Sequence, residues 1–205
     1  MQIRFIKTAV LAKDWPEASV LEVAMVGRSN AGKSSLINAI AGSKIAKVSS
    51  TPGKTRALNF FDVNGKYRFV DMPGYGYDAR SGNEVKSWQK MIESYLLTRG
   101  TLVGLVLVMD IRRKWTDDEQ ILVDIMEQVG RPVLVALTKS DKIGGNEKRS
   151  RVQSLKKLLP EVTVLAVSNT KKLGSKELEE KIFYEWVQKG SIPKVEYDIY
   201  ESETK

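Results

Sequence analysis

The stretch Glu22-Val23-Ala24-Met25-Val26-Gly27-Arg28-Ser29-Asn30-Ala31-Gly32-Lys33-Ser34 decides the fold. Glu22–Val26 reads as a buried strand ending at Gly27, and Lys33–Ala41 as a helix stopped by Gly42. The connection between them, Gly27–Ser34, matches GxxxxGK(S/T). Such a loop between strand and helix wraps its backbone around phosphate, with N–H groups turned inward and the helix N-terminus adding positive partial charge. The spacing assigns Lys33 to the β- and γ-phosphates and Ser34 to Mg²⁺. The alternative is a glycine turn with a chance lysine, and the strand–loop–helix context argues against it.

Outward from this loop, short apolar runs alternate with helical patterns. Leu58–Val63 and Tyr67–Asp71 read as a hairpin joined at Asn64-Gly65. Leu102–Asp110 is almost wholly apolar, as in a central parallel strand covered on both sides. Val133–Thr138 and Val162–Ser168 are further strands. Helices are expected over Val85–Arg99, Thr116–Val129 (Thr116 and Glu119 forming a capping box), Lys148–Leu159 and Lys176–Gln188. The alternation predicts an α/β fold: a mainly parallel six-stranded sheet, one antiparallel edge strand, helices on both faces. One domain is expected over residues 1–190, with a short N-terminal extension, followed by an acidic, flexible tail over 191–205.

Two further motifs follow strands. Asp71-Met72-Pro73-Gly74 ends the second hairpin strand; its acid suits Mg²⁺, and the Gly74 amide suits a γ-phosphate. Thr138-Lys139-Ser140-Asp141 follows a buried strand. A carboxylate at Asp141 can accept from both N1–H and the exocyclic amine of guanine, a donor pair that adenine lacks. The Lys139 stem can cover the ring face. Between the first two motifs, Ser49-Ser50-Thr51-Pro52-Gly53-Lys54-Thr55-Arg56 is a loop whose threonines, Thr51 and Thr55, are both candidates to place a hydroxyl on Mg²⁺.

The chain has no cysteine and no histidine. That excludes disulfides, thiolate and imidazole metal sites, and Ser-His-Asp or cysteine nucleophile chemistry. What is left is carboxylates, hydroxyls, lysines, backbone amides and hard cations held by oxygen. The net charge is +8, from 33 basic against 25 acidic residues. The excess is uneven: residues 191–205 are net −2, leaving +10 for the rest. Basic residues concentrate around 41–68 (Lys44, Lys47, Lys54, Arg56, Arg68) and 131–160 (Arg131, Lys148, Arg149, Arg151, Lys156, Lys157), which suits a polyanionic partner such as RNA or a solvated surface. No apolar run is long enough for a membrane span, and the start lacks a secretory core, so a cytoplasmic protein without membrane association is expected.

GRSNAGKSSLINAI, STPGKTRALNFF, DMPGYGYD, TKSD and the spacing Trp88…Tyr95…Arg99 together resemble the EngB (YihA/YsxC) family over about residues 5–188. The resemblance implies a small Ras-like G domain that hydrolyses GTP in assembly of the large ribosomal subunit, and through it supports growth and division. It implies a monomer whose partners are guanine nucleotide and the large subunit or its precursor, both rRNA and protein. Carried over, Gly27–Ser34 hold the phosphates, and Gly53, Lys54, Thr55, Arg56 and Ala57 form the first switch. Ser34, Thr55 and Asp71 serve Mg²⁺, with Thr55 chosen over Thr51. Asp71, Met72, Pro73 and Gly74 open the second switch. Thr138, Lys139, Ser140 and Asp141, with Ala166, Val167 and Ser168, contact guanine. Lys33, Thr55 and Gly74 carry the reaction. The usual Asn of NKxD is here Thr138, which weakens one loop-tying contact.

Ras-type enzymes place a water-orienting glutamine after the DxxG glycine; here Tyr75 stands there, and a phenol is no base at neutral pH. Slow intrinsic turnover, raised by a partner, is therefore expected. Asn30 resembles an asparagine that related GTPases use to bind K⁺. A P-loop phosphotransferase is the competing enzyme class, and Asp141 argues against its expected preference for ATP. A nucleotide-gated binding module is the other reading and differs in emphasis more than in residues.

Overall fold

The computed structural model describes residues 2–46, 57–75 and 82–192, with backbone alone over 82–89. Seven strands form one sheet in the order β1-β3-β4-β2-β5-β6-β7. β2 (Leu21–Gly27), β5 (Leu102–Asp110) and β6 (Val133–Thr138) are buried along their whole length, because helices cover both faces. β4 (Tyr67–Asp71), β2, β5, β6 and β7 (Thr163–Ala166) run parallel. β3 (Leu58–Val63) runs against its neighbours and joins β4 through Asn64 and Gly65, both at positive φ (53° and 67°), as a hairpin turn of this kind needs.

The sheet thus has seven strands where the sequence pattern suggests six. The added strand is β1 (Ile3–Ala9), in the segment expected to be only an extension. It pairs antiparallel with β3, with a bulge between Phe5 and Lys7, so the reversed strand is internal and β1 is the edge. Only Ile3 and Ala9 of β1 are buried, which leaves no period-two apolar pattern to read.

Helices α1 (Lys33–Ala41) and α5 (Ser175–Lys181) share one core with Leu36, Ile37, Leu178 and Ile182. Helices α2 (Gly82–Thr98), α3 (Asp117–Gln128) and α4 (Gly145–Leu158) contribute Ile92, Leu96, Leu122, Met126 and Leu155 to the core on the other face. The capping box at Thr116 and Glu119 is present. α2 and α4 each begin three residues ahead of the predicted Val85 and Lys148, and β7 ends two residues short of Ser168. The last helix turns π-helical over Ile182–Val187. There Trp186 lies over Gly104 of β5, where an added Cβ would come within 2.5 Å of the indole. No helix among the described residues is long and apolar enough to cross a membrane.

At the start of β2, remote from its phosphate-loop end, Glu22 is fully buried. It accepts from Arg68 (3.2 Å), both nitrogens of an Arg99 fork (2.5 and 2.7 Å), the Tyr95 hydroxyl (2.7 Å) and Thr101 (3.0 Å). Tyr95 and Arg99, two residues of the α2 spacing noted above, therefore serve this buried network; Trp88, the third, has no described side chain.

Candidate nucleotide site

The loop after β2 is built around two backbone demands. At Gly27 a Cβ would sit 2.3 Å from the Val108 carbonyl oxygen, so no side chain fits. Asn30 and Gly32 adopt positive φ, 65° and 92°, which curl the loop into α1. The first helical bond runs from Leu36 N–H to the Gly32 carbonyl (2.9 Å). The N–H groups of the preceding turn are left facing out of the helix end.

Three consecutive carbonyls of this loop are gripped by side chains from the ends of β6 and β7. The Lys139 ammonium donates to Asn30 O at 2.7 Å. The Thr138 hydroxyl donates to Ala31 O, and the Asn169 amide donates to Gly32 O at 3.3 Å. In a trans peptide each N–H points opposite the preceding carbonyl. Holding the carbonyls of Ala31 and Gly32 toward β6 and β7 therefore aims the N–H groups of Gly32 and Lys33 the other way. These two amides are pre-set as donors for an anion.

Lys33 follows directly, and its ammonium is hydrogen-bonded and ion-paired to Asp71 Oδ1. Both side chains are largely buried, and burial draws the Lys33 ammonium down from the usual lysine range to about 7. Ser34, at half-burial, is the next residue of the same helical turn. Ser34 and Asp71 supply hydroxyl and carboxylate oxygens, the hard donors that Mg²⁺ prefers beside phosphate. Among the described residues no group of three or more acidic side chains forms a metal cage.

The Asp71–Gly74 turn packs onto the loop. Met72 N–H reaches Met25 O (2.9 Å), Tyr75 N–H reaches Gly27 O (3.3 Å), and Ser29 N–H reaches Tyr75 O (3.0 Å). An added Cβ at Gly74 would lie 3.2 Å from Gly27 O and Ser29 N, so Pro73-Gly74 runs close beside the loop. Arg28 reaches across to Asp118 at the start of α3 (3.8 Å). Tyr75 is buried, and its hydroxyl donates to Glu119 Oε1 at 2.7 Å. Glu119 is itself buried and caps α3 through Thr116. Burial and the Glu119 carboxylate push the Tyr75 phenol well above its ordinary range.

At the other end of the site, Ser168 donates to Asp141 Oδ1 at 2.6 Å, and this bond holds the Asp141 carboxyl below the usual range. Ser140 N–H reaches Val167 O (3.1 Å) and Val167 N–H reaches Leu137 O (2.8 Å), so Val167 serves as scaffold. Ala166 is the last residue of β7. Lys139, at φ 56°, also pairs with Asp110 (3.1 Å), which Arg112 grips with two nitrogens (2.9 and 2.6 Å). Arg112 supplies most of the pull that sets the Asp110 carboxyl far below the carboxylate range.

The structure thus brings together Gly27–Ser34, Asp71–Gly74, Thr138–Asp141 and Ser168. Ala57 is buried at the entry to β3. Gly53, Lys54, Thr55 and Arg56 lie outside the described residues, as do Gly76, Tyr77 and the tail from 193 onward. Sequence reasoning missed Asn169 and Asp110, and read Glu119 only as a helix cap, without its bond to Tyr75.

A loop with the Gly32 and Lys33 amides turned away from β6 and β7 beside a buried lysine, a DxxG turn packed against it and a carboxylate held at the end of β6 define a P-loop GTPase of Ras-like fold. A family model described as "50S ribosome-binding GTPase" matches residues 22–139. A relative described as "Probable GTP-binding protein EngB" from Bdellovibrio bacteriovorus is 53% identical over 91% of this chain and 93% of its own. The chain belongs to the EngB family of GTP-binding proteins. Among solved structures, Aquifex aeolicus Era bound to GDP·AlF4⁻ superposes with a TM-score of 0.68 at 26% identity, over 84% of this chain. This chain spans 58% of the length of that Era chain. NFeoB from S. thermophilus bound to GDP·AlF4⁻ and K⁺ gives 0.62 at 26% identity, over 85% of this chain and 65% of its own.

Proposed function

We propose that this GTPase is a cytoplasmic, monomeric switch in assembly of the large ribosomal subunit, built as one G domain over residues 1–190. The observation that carries the guanine half is Asp141, held ionised by Ser168 a short reach from the tied phosphate loop. Gly27–Ser34 would bind the phosphates, with Arg28, Ser29, Asn30 and Ala31 as backbone of the cradle. Thr138–Asp141 and Ala166–Ser168 would frame guanine, with Asp141 accepting its two N–H groups. Ser34, Asp71 and Thr55 would hold Mg²⁺, which when bound supplies charge for the β- and γ-phosphates. Lys33 would release Asp71 and turn its ammonium to the phosphates, and the Gly74 amide would meet the γ-phosphate. Gly53–Ala57 would complete the first switch.

Hydrolysis is then a matter of positioning and charge. The Tyr75 hydroxyl is committed to Glu119, so this residue neither orients nor deprotonates the water. A partner surface supplies that function, and intrinsic turnover is slow. Asn30 makes K⁺ a candidate accessory cation, and the K⁺ bound by the NFeoB relative supports testing it. The ribosomal role rests on family membership and on the basic segments around 41–68 and 131–160. Co-sedimentation with large-subunit precursors tests it: association is expected with a non-hydrolysable GTP analogue, weaker with GDP, and falling steeply with salt. Nucleotide-independent, salt-insensitive association would refute it. Faster hydrolysis in K⁺ than in Na⁺ is expected; equal rates, with and without particles, would remove the ion.

A further inference from the structure

Thr138 stands where related GTPases carry an asparagine, and its single hydroxyl proton faces two carbonyls: Ala31 O, and Met109 O at 3.1 Å. One O–H donates to one acceptor at a time, so this tie is shared between the phosphate loop and β5. The next carbonyl along, Gly32 O, accepts from the side-chain amide of Asn169 as well as from Leu36 N–H of α1. At Gly32 the space a Cβ would enter is bounded by Asn169 Nδ2 (3.6 Å) and by Thr138 Oγ1 (3.6 Å). The two side chains thus sit side by side over the same turn of the loop. Asn169 is also the residue after Ser168, the one bonded to Asp141. Its Oδ1 is buried and finds no donor among the described residues.

We infer that Asn169 is a positioning residue for nucleotide, carrying the amide tie between base-binding loop and phosphate loop that Thr138 makes only in part. It acts through Gly32: held in place, this carbonyl keeps the Lys33 N–H turned toward the phosphates. Through its neighbour Ser168 it also sets the distance between the guanine-reading carboxylate and the phosphate cradle. This inference rests on the guanine reading of Asp141 given above.

The test is release of a fluorescent GDP analogue from the full chain, measured by stopped flow. Asn169→Ala is expected to speed release about ten-fold, the effect of losing one buried hydrogen bond. Asn169→Asp, which turns a carboxylate oxygen onto the Gly32 carbonyl, is expected to release faster still. Placing Thr138→Asn in the Asn169→Ala background restores release to within about three-fold of the unmodified chain, because the amide returns on the neighbouring strand. Melting of the nucleotide-free variants is expected within about 3 °C of the unmodified chain, which separates positioning from folding. Asn169→Ala releasing at the unmodified rate, or Asn169→Asp retaining GDP as well as asparagine does, overturns the inference while leaving the guanine site intact. An unmodified chain that binds adenine and guanine nucleotides equally overturns the guanine reading itself, and this inference with it.

Discussion

At the start of β2, Glu22 is sealed from water and meets Arg68, both arms of Arg99, Tyr95 and Thr101. Beyond the end of the same strand, Lys33 is also largely buried, yet among the described residues its ammonium meets one oxygen, Asp71 Oδ1. The Glu22 carboxylate has its lone pairs filled, whereas the Lys33 ammonium has three protons and one partner. The contrast teaches how to tell a buried charge that holds a fold from one that awaits a ligand. The first is satisfied by its own chain, and the second keeps donors in reserve.

Mutation can break this comparison from either side. Glu22→Ala leaves two arginines and a tyrosine facing an empty pocket and is expected to cost about 3–5 kcal/mol in urea unfolding. Nucleotide affinity of the folded fraction should not change, and an unaltered unfolding midpoint would erase the contrast. Lys33→Ala reverses the pattern: GTP hydrolysis is expected to fall about 10²–10³-fold, while unfolding of the nucleotide-free protein loses only about 1–2 kcal/mol. A variant that hydrolyses normally would show Lys33 to be another structural ion. Asp141→Asn sharpens the ligand-awaiting side, with preference for GTP over XTP expected to drop about 100-fold in competition binding. Retained preference would move guanine recognition elsewhere. The smallest effect belongs to Tyr75→Phe, which removes one donor from Glu119 and is expected to cost about 1 kcal/mol of stability. Single-turnover hydrolysis by that variant should stay within about two-fold of the unmodified chain, since the phenol lies away from the chemistry.

The central strands and the three motifs were legible in the sequence because each has a local signature. Buried parallel strands are continuous apolar runs, and phosphate loops need glycine at fixed spacing. β1 was not legible, since an edge strand with only Ile3 and Ala9 buried has no pattern and depends wholly on β3 for its register. The Glu22 network was hidden for a different reason: its members come from β2, β4, α2 and the loop before β5, and no local window contains them. Asn169 was missed because it lies in a loop more than a hundred residues from the carbonyl it holds. Tyr75, read as the occupant of a missing glutamine's position, turned out to be a core residue whose partner, Glu119, is 44 positions away.

Tyr75 has one more consequence. Its amide and carbonyl are fixed to Gly27 and Ser29, and its hydroxyl rests on the same carboxylate that caps α3. Residue 75 is thus a fulcrum shared by the phosphate loop, the DxxG turn and the third helix, and a change at Gly74 has a direct mechanical route to the start of that helix. Trp115, one residue before the cap and anchored to Gln120 in the same turn, stands at the end of that route.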